Sequence, residues 1–270
     1  MYPKKELAQI LISACHQFKI ETVVISPGSR NAPLTIGFSN HSEIETFSIV
    51  DERCAAFYAL GIAQQTQKPV AILCTSGSAL LNYYPAIAEA FYSNIPLVVL
   101  SADRPKHLID IGDGQTIRQE NVFENHILFS ANLIENPKFK TRNSQLIGEA
   151  LQIATSNKGP VHINIPFDEP LYETVSVLED FHFPRISMSS LDNSHVDYSF
   201  FADIWNSAKK KIILVGVNFP DKKINELIHF YAEDSSVLIL TETTSNLHHT
   251  NVVDSIDQLI FSLNESECSS

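Results

Sequence analysis

Five short runs, each crowded with β-branched and other apolar residues, punctuate the first two-thirds of the chain: ETVVIS (21–26), ETFSIV (45–50), PVAILCT (69–75), IPLVVLSAD (95–103) and GPVHINIPF (159–167). Most lack the strict alternation of a strand with one face in water, so both faces need cover. Helix-periodic segments lie between them. PKKELAQILISACHQF (3–18) puts Leu7, Ile10, Leu11, Ala14, Cys15 and Phe18 on one face, with Pro3 at its start. A helix-like stretch runs to about Asn40. DERCAAFYALGIAQQT (51–66) reads as a helix with Asp51 as N-cap, and SGSALLNYYPAIAEAFYSN (76–94) as one kinked or broken at Pro85. Residues 104 to about 141 read as irregular, and a further helix falls near 143–156. Strands alternating with helices predict an α/β fold: a parallel sheet covered by helices on both faces.

From residue 168 the chain turns polar and aperiodic, and the βα rhythm restarts in SFFADIWNSA, KKIILVGVNFP, DKKINELIHFYAED and SSVLILTE. This predicts a first domain over 1–175, a linker over 176–197 and the start of a second, Rossmann-like α/β domain over 198–270. Two strands and their helices do not close a stable sheet, so the second domain reads as cut short.

Nineteen basic against thirty-one acidic residues give a net charge of −12, which argues against general nucleic-acid binding. An anionic ligand must therefore be drawn in by a local cluster of Arg or Lys. No apolar run is long enough to span a bilayer, and MYPKKELAQI lacks the apolar stretch of a signal peptide, so the expected compartment is the cytoplasm. The four cysteines, Cys15, Cys54, Cys74 and Cys268, have no metal-ligand spacing. Three of them fall in apolar helix or strand patterns and are expected as buried free thiols.

Ligands of open α/β sheets bind beyond the carboxyl ends of the strands. Here those ends read SPGSR, DER, TSGSA and SADRP. Gly28 permits a sharp turn, Ser29 and the next helix start can donate to an anion, and Arg30 can grip a carboxylate bidentately. Each also has a plainer reading. Arg30 could cover a helix start at the surface, Glu52 could answer the helix dipole, Arg104 could pair with Asp103 or another nearby acid, and Thr75 or Ser76 could cap a helix. GDG (112–114) follows no predicted strand and reads as a flexible loop. No G-x-G-x-x-G or G-x-S-x-G occurs where a dinucleotide or a nucleophile elbow would need it.

Taken together, SPGSRNAPL, DERCAAFYALGIA, TSGSALLNYYPAIAEA, SADRP, GQTIRQ and GPVHINIPFDEPLY resemble the N-terminal half of the 2-succinyl-5-enolpyruvyl-6-hydroxy-3-cyclohexene-1-carboxylate (SEPHCHC) synthases of menaquinone biosynthesis. The likeness covers nearly all of residues 3–172, in order and spacing, and is weaker beyond. It implies a thiamine diphosphate enzyme that decarboxylates 2-oxoglutarate and adds the product carbanion to isochorismate, as a homodimer or homotetramer. It implies a first domain that holds the aminopyrimidine and a third, not seen in this chain, that holds the diphosphate through Mg²⁺. No metal ligand is then expected here. By the same resemblance Glu52 activates the cofactor at the pyrimidine N1′, and its neighbours Cys54, Ala55, Ala56 and Phe57 would favour a raised pKa. Pro27 and Thr75 are implied at the cofactor. Ser29, Arg30, Arg104 and Gln115 are implied at the substrate, Gln115 also in catalysis. Arg118 and Gln119 receive no role. Two alternatives stay open: another thiamine diphosphate decarboxylase or carboligase, which the arginine motifs disfavour, and a dimerising module that catalyses nothing.

Overall fold

A computed structural model of the chain describes residues 1–183 and 197–268. In chain order the first part comprises β1 (Tyr2–Pro3), α1 (Glu6–Gln17), β2 (Thr22–Ile25), α2 (Ala32–Ser39), β3 (Glu45–Ser48), α3 (Glu52–Thr66) and β4 (Val70–Cys74). A 3₁₀ segment (Gly77–Tyr83) leads into α4 (Tyr84–Tyr92) and β5 (Leu97–Asp103), then β6 (Phe129–Asn132), α5 (Lys140–Asn157), β7 (Val161–Pro166) and β8 (Thr174–Val175). Six strands form one parallel sheet in the order β3-β2-β4-β5-β7-β6. Strand side chains alternate between its faces. Val23, Ile25, Leu73, Leu100 and Ile163 enter a core shared with α1, α2 and α5. Val24, Ile72, Cys74 and Val99 enter a second core shared with α3 and α4. Both faces are buried, which is why the central strands read as continuous apolar runs.

Several local readings need correction. Pro3 does not open α1; it pairs in β1 with Thr174 of β8, antiparallel, and the helix begins at Glu6. Pro85 sits in the first turn of α4, where its missing N–H costs nothing, and the break lies before it in the 3₁₀ segment. Strand β6 lies inside the stretch read as irregular; its sequence, FSAN, has no β-branched residue to signal it. Cys15 and Cys74 are buried, and burial pushes the Cys15 thiol up to about 12. Cys54, however, is exposed, because α3 turns Ala55, Ala56, Ala59 and Ala63 to the sheet and leaves Cys54 off that stripe. Asp51 does cap α3, its Oδ1 accepting from Cys54 N at 2.9 Å.

The polar stretch after β7 is tied to the first unit as far as Phe183. Gln9, Ser13 and Gln17, one turn apart on α1, bond the backbone of Glu179, Phe181 and Phe183. Gln17 Nε2 also donates to Phe183 O at 2.7 Å. The rest of the stretch read as a linker, residues 184–196, lies outside the described residues.

The chain divides into two compact units, Met1–Met188 and Ser189–Ser270. The second contains α6 (Ser199–Ser207), β9 (Lys211–Leu214), α7 (Lys222–Ala232), β10 (Val237–Leu240), β11 (Val252–Val253), α8 (Ile256–Phe261) and α9 (Glu265–Cys268). Its strands are parallel in the order β11-β10-β9, one strand more than the sequence reading foresaw. Ile228, Ala232, Val237, Ile239 and Leu247 form its small core. Asp221 caps α7 through Lys223 N and Ile224 N.

Candidate functional site

Because β3 and β4 flank β2 on opposite sides, the chain reverses its direction of travel across the sheet between β2 and β4. The loops beyond these two strands diverge there, at the carboxyl edge where open α/β sheets hold their ligands. This edge is tightly built. Ser26 N donates to Leu73 O at 2.8 Å, continuing the ladder past β2. Gly28 follows, and a Cβ on it would stand 2.5 Å from Thr75 Cβ. Close approach, rather than a positive φ, is thus what requires glycine here. The fully buried Asn31 shapes the turn, accepting from Gly28 N at 2.9 Å and donating to Ser26 O at 2.9 Å. Nothing in the sequence reading marked Asn31; an Asx residue three after a glycine was the available signal. Pro27 and Ser29 stand exposed at the rim.

Glu52 enters from the neighbouring strand end, in the first turn of α3 behind the Asp51 cap. Its side chain is half-buried and has no hydrogen bond or ion pair to any described residue. Its charge bears on the buried Cys74 at the end of β4 and on the buried Tyr83, raising both pKa values behind the larger effect of burial. Of its neighbours, Ala55 and Ala56 are buried, whereas Cys54 and Phe57 are exposed.

Arg30 is not a surface arginine. Only 5% of it is exposed. Nη1 donates to the carbonyl of Phe167, just past β7, at 2.8 Å, and Nη2 meets Glu169 Oε1 at 3.2 Å. Nε is buried without a partner. Burial lowers its pKa, and so does the nearby Arg104, against Glu169, Asp168 and Asp113. Arg104 follows β5. Its Nη2 donates to Gly114 O at 3.1 Å and its Nε lies 3.6 Å from Asp113 Oδ2. The GDG loop is therefore not free: it wraps the Arg104 guanidinium. The ion pair foreseen for Arg104 exists, with Asp113, while Asp103 takes only the backbone N–H at 2.7 Å. Gln115, exposed and with φ 56°, lies with its backbone against Gly77, whose φ is 85° and whose Cβ would stand 3.1 Å from Gln115 O. Neither plain capping role for TSGSA holds, since Ser76 stands at the N-cap without a side-chain bond.

A buried polar network underlies these loops. Ser101 Oγ donates to Asn164 Oδ1 at 2.9 Å and lies 2.7 Å from His162 Nε2, so His162 carries its proton on Nε2. Complete burial drops the His162 pKa to about 3, keeping the ring neutral. Asn164 Nδ2 donates to Asp103 Oδ2 at 2.8 Å. Burial raises the Asp103 pKa, and the bonds from Asn164 and Arg104 N only partly oppose it. Gln119 is fully buried within this network, whereas Arg118 is exposed and pairs with Asp110 at 2.9 Å.

Residues 5–128 match the family of the thiamine pyrophosphate enzyme, N-terminal TPP binding domain. Over 266 residues, 96% of its length, the chain is 56% identical to a 2-succinyl-5-enolpyruvyl-6-hydroxy-3-cyclohexene-1-carboxylate synthase of Flavobacterium psychrophilum, covering 47% of that protein. It is 54% identical to the synthase of Flavobacterium johnsoniae over 99% of its length and 52% identical to that of Christiangramia forsetii over 98%. The chain resembles the N-terminal part of the SEPHCHC synthases. It spans about half the length of the curated relatives it matches and corresponds to their N-terminal part. The residues at this edge are compatible with a TPP-binding domain such as the one that residues 5–128 match. A half-buried carboxylate with open oxygens, Glu52, adjoins a close Gly28–Thr75 approach that leaves no room for a side chain.

Proposed function

We propose that this chain forms the pyrimidine-binding half of a SEPHCHC synthase, a thiamine diphosphate-dependent transferase of menaquinone or phylloquinone biosynthesis acting on 2-oxoglutarate and isochorismate. The observation that carries this reading is the gathering at one sheet edge of an unpartnered carboxylate, Glu52, and two arginines, Arg30 and Arg104. Bound thiamine diphosphate supplies the nucleophilic carbon and the electron sink for decarboxylation. Glu52 shares a proton with the pyrimidine N1′, a task that its partly dry position and lack of a protein partner suit. Pro27 and Thr75 hold the ring. Arg30 and Arg104, with Ser29 and Gln115, receive the substrate carboxylates, for which the guanidinium fork is matched. The diphosphate and Mg²⁺ fall to the further length that the relatives carry.

No described helix is long and apolar enough to cross a membrane, and the reading puts the enzyme in the cytoplasm. Val50, Phe57, Tyr58, Leu81 and Tyr92 are exposed on and around α3 and α4. These large side chains support a homodimer or homotetramer built on that face. They equally favour the second reading, a self-associating module without turnover.

Amide exchange with and without thiamine diphosphate and Mg²⁺ tests the first reading. Slowed exchange across residues 24–30, 51–56 and 74–78, lost in Glu52→Gln, is the expected result. A profile that the cofactor leaves unchanged refutes it. Analytical ultracentrifugation tests the interface, and a monomer at all concentrations removes it.

A further inference from the structure

We infer that Gln119 is a positioning residue that locks the Gln115-bearing loop onto the Thr75–Gly77 turn and onto the strand end that carries Arg104. The inference rests on the reading of these strand-end loops as the ligand site. Gln119 is fully buried, and all three of its hydrogen-bonding hydrogens and acceptors are committed to different segments. Its Oε1 accepts from Gly77 N at 2.8 Å, in the turn after β4. One Nε2 hydrogen goes to Ala102 O in β5 at 3.2 Å, and the other to Asn164 Oδ1 in β7 at 2.9 Å. The orientation of the amide is settled by its partners, since Gly77 N can only donate and Ala102 O can only accept.

Each bond has a consequence for the site. Gly77 N is the backbone donor two residues past Thr75. Its left-handed conformation leaves room for the Gln115 backbone, so the Gln119–Gly77 bond fixes Gln115 against the turn. Asn164, held by Gln119, in turn donates to Asp103, and Asp103 accepts from Arg104 N. One amide therefore couples the seats of Thr75, Gln115 and Arg104. A hydrophobic residue of the same size would bury the Gly77 N–H, the Ala102 carbonyl and one lone pair of Asn164 unpaired.

The test is amide exchange on the native 270-residue chain, Gln119→Met and Gln119→Glu, expressed as protection factors at two pH values. Met preserves volume and removes every polar contact. Protection should fall about tenfold at Gly77 and across 108–118, the factor one lost buried hydrogen bond is worth, while α1 and α5 stay protected. Glu at this site faces the acceptors Ala102 O and Asn164 Oδ1, with Asp103 one bond further, so its neutral form is favoured. That form keeps the carbonyl acceptor for Gly77 and one donor. Gln119→Glu should therefore restore protection at about pH 5.5 and lose it as the pH rises. His162, Asp103 and Arg104 are the other titratable or charged groups of the network, and the charges of Glu120 and Arg30 also act on Asp103. Unchanged protection at Gly77 and 108–118 in Gln119→Met overturns the inference. So does an equal loss across the whole first unit with no recovery in Gln119→Glu. Cofactor added to the native chain separates the two readings: if 24–30 and 51–56 ignore it, the ligand-site reading fails while the loop coupling still stands or falls on the variants.

Discussion

Replacing Arg30 with Met should destabilise the first unit, contrary to what a rim arginine would do. Met keeps most of the apolar stem and removes the guanidinium. The bond from Nη1 to Phe167 O, at 2.8 Å and buried, is a charged hydrogen bond, a class that contributes about 1.5–3 kcal/mol. The contact with Glu169 adds less than about 1 kcal/mol, because that carboxylate is 64% exposed. Two effects act the other way. The variant relieves a buried, unpartnered Nε and ends the repulsion from Arg104. The net expectation is a loss of roughly 1.5–3 kcal/mol, or a melting temperature lower by about 3–10 °C for a unit of this size. Differential scanning calorimetry on the chain without ligand measures it, with Glu169→Gln as the control that should move the transition by less than about 3 °C. An Arg30→Met transition within a degree of native would refute the reasoning. It would mean that the Phe167 carbonyl is rehydrated at no cost and that Arg30 is held only for a ligand.

Gly28→Ala should cost about 1–3 kcal/mol by overpacking against Thr75, whose Cβ stands 2.5 Å from the new methyl position. Thr75→Gly in the same chain should recover most of it in urea unfolding, and failure to recover would place the strain elsewhere. His162 and Asp103 predict opposite slopes with pH. The folded His162 pKa of about 3 is depressed, so its contribution is full above about pH 6.5 and is lost as the pH falls, at up to about 1.4 kcal/mol per unit. Asp103 is raised in the folded state, so its contribution is present at low pH and is lost as the pH rises through its titration. Between pH 7 and 4 the urea midpoint of His162→Gln should drop less with falling pH than that of the native chain.

What the sequence made legible were features with a local cause. Continuous apolar runs announced strands buried on both sides, and Asp51 before ERCAAF announced a helix start. The unusual residues at four strand ends announced one edge of a sheet. What it hid were contacts that join distant segments. The burial of Arg30 depends on Phe167, which lies 137 positions away. The role of Gln119 depends on Gly77, 42 positions away. The polar stripe Gln9, Ser13, Gln17 looks like a solvated helix face until residues 179–183 come to lie on it. GDG misled differently: a glycine pair suggests freedom, yet Asp113 and Gly114 are organised by the Arg104 guanidinium.

The sheet order also bears on how large a ligand the site accommodates. Glu52 follows β3 and Arg104 follows β5, and between these strands lie β2 and β4. Three strand spacings separate the two ends, roughly 14 Å. Arg30, although it follows β2, reaches the residue after β7 and feels the charge of Arg104, so its guanidinium belongs to the Arg104 end. On the proposed reading this edge has an acidic pole at Glu52 and a cationic pole at Arg30 and Arg104, whose guanidiniums also meet Glu169 and Asp113, with the Gly28–Thr75 approach toward the acidic side. A small anion alone touches only the cationic pole. Engaging both takes an extended ligand, or two ligands end to end, with a proton-sharing nitrogen heterocycle at one end and a carboxylate at the other. Under the proposed function a bound cofactor facing a dicarboxylate meets that description, and in a chain of net charge −12 the anionic part would be gathered locally, at Arg30 and Arg104.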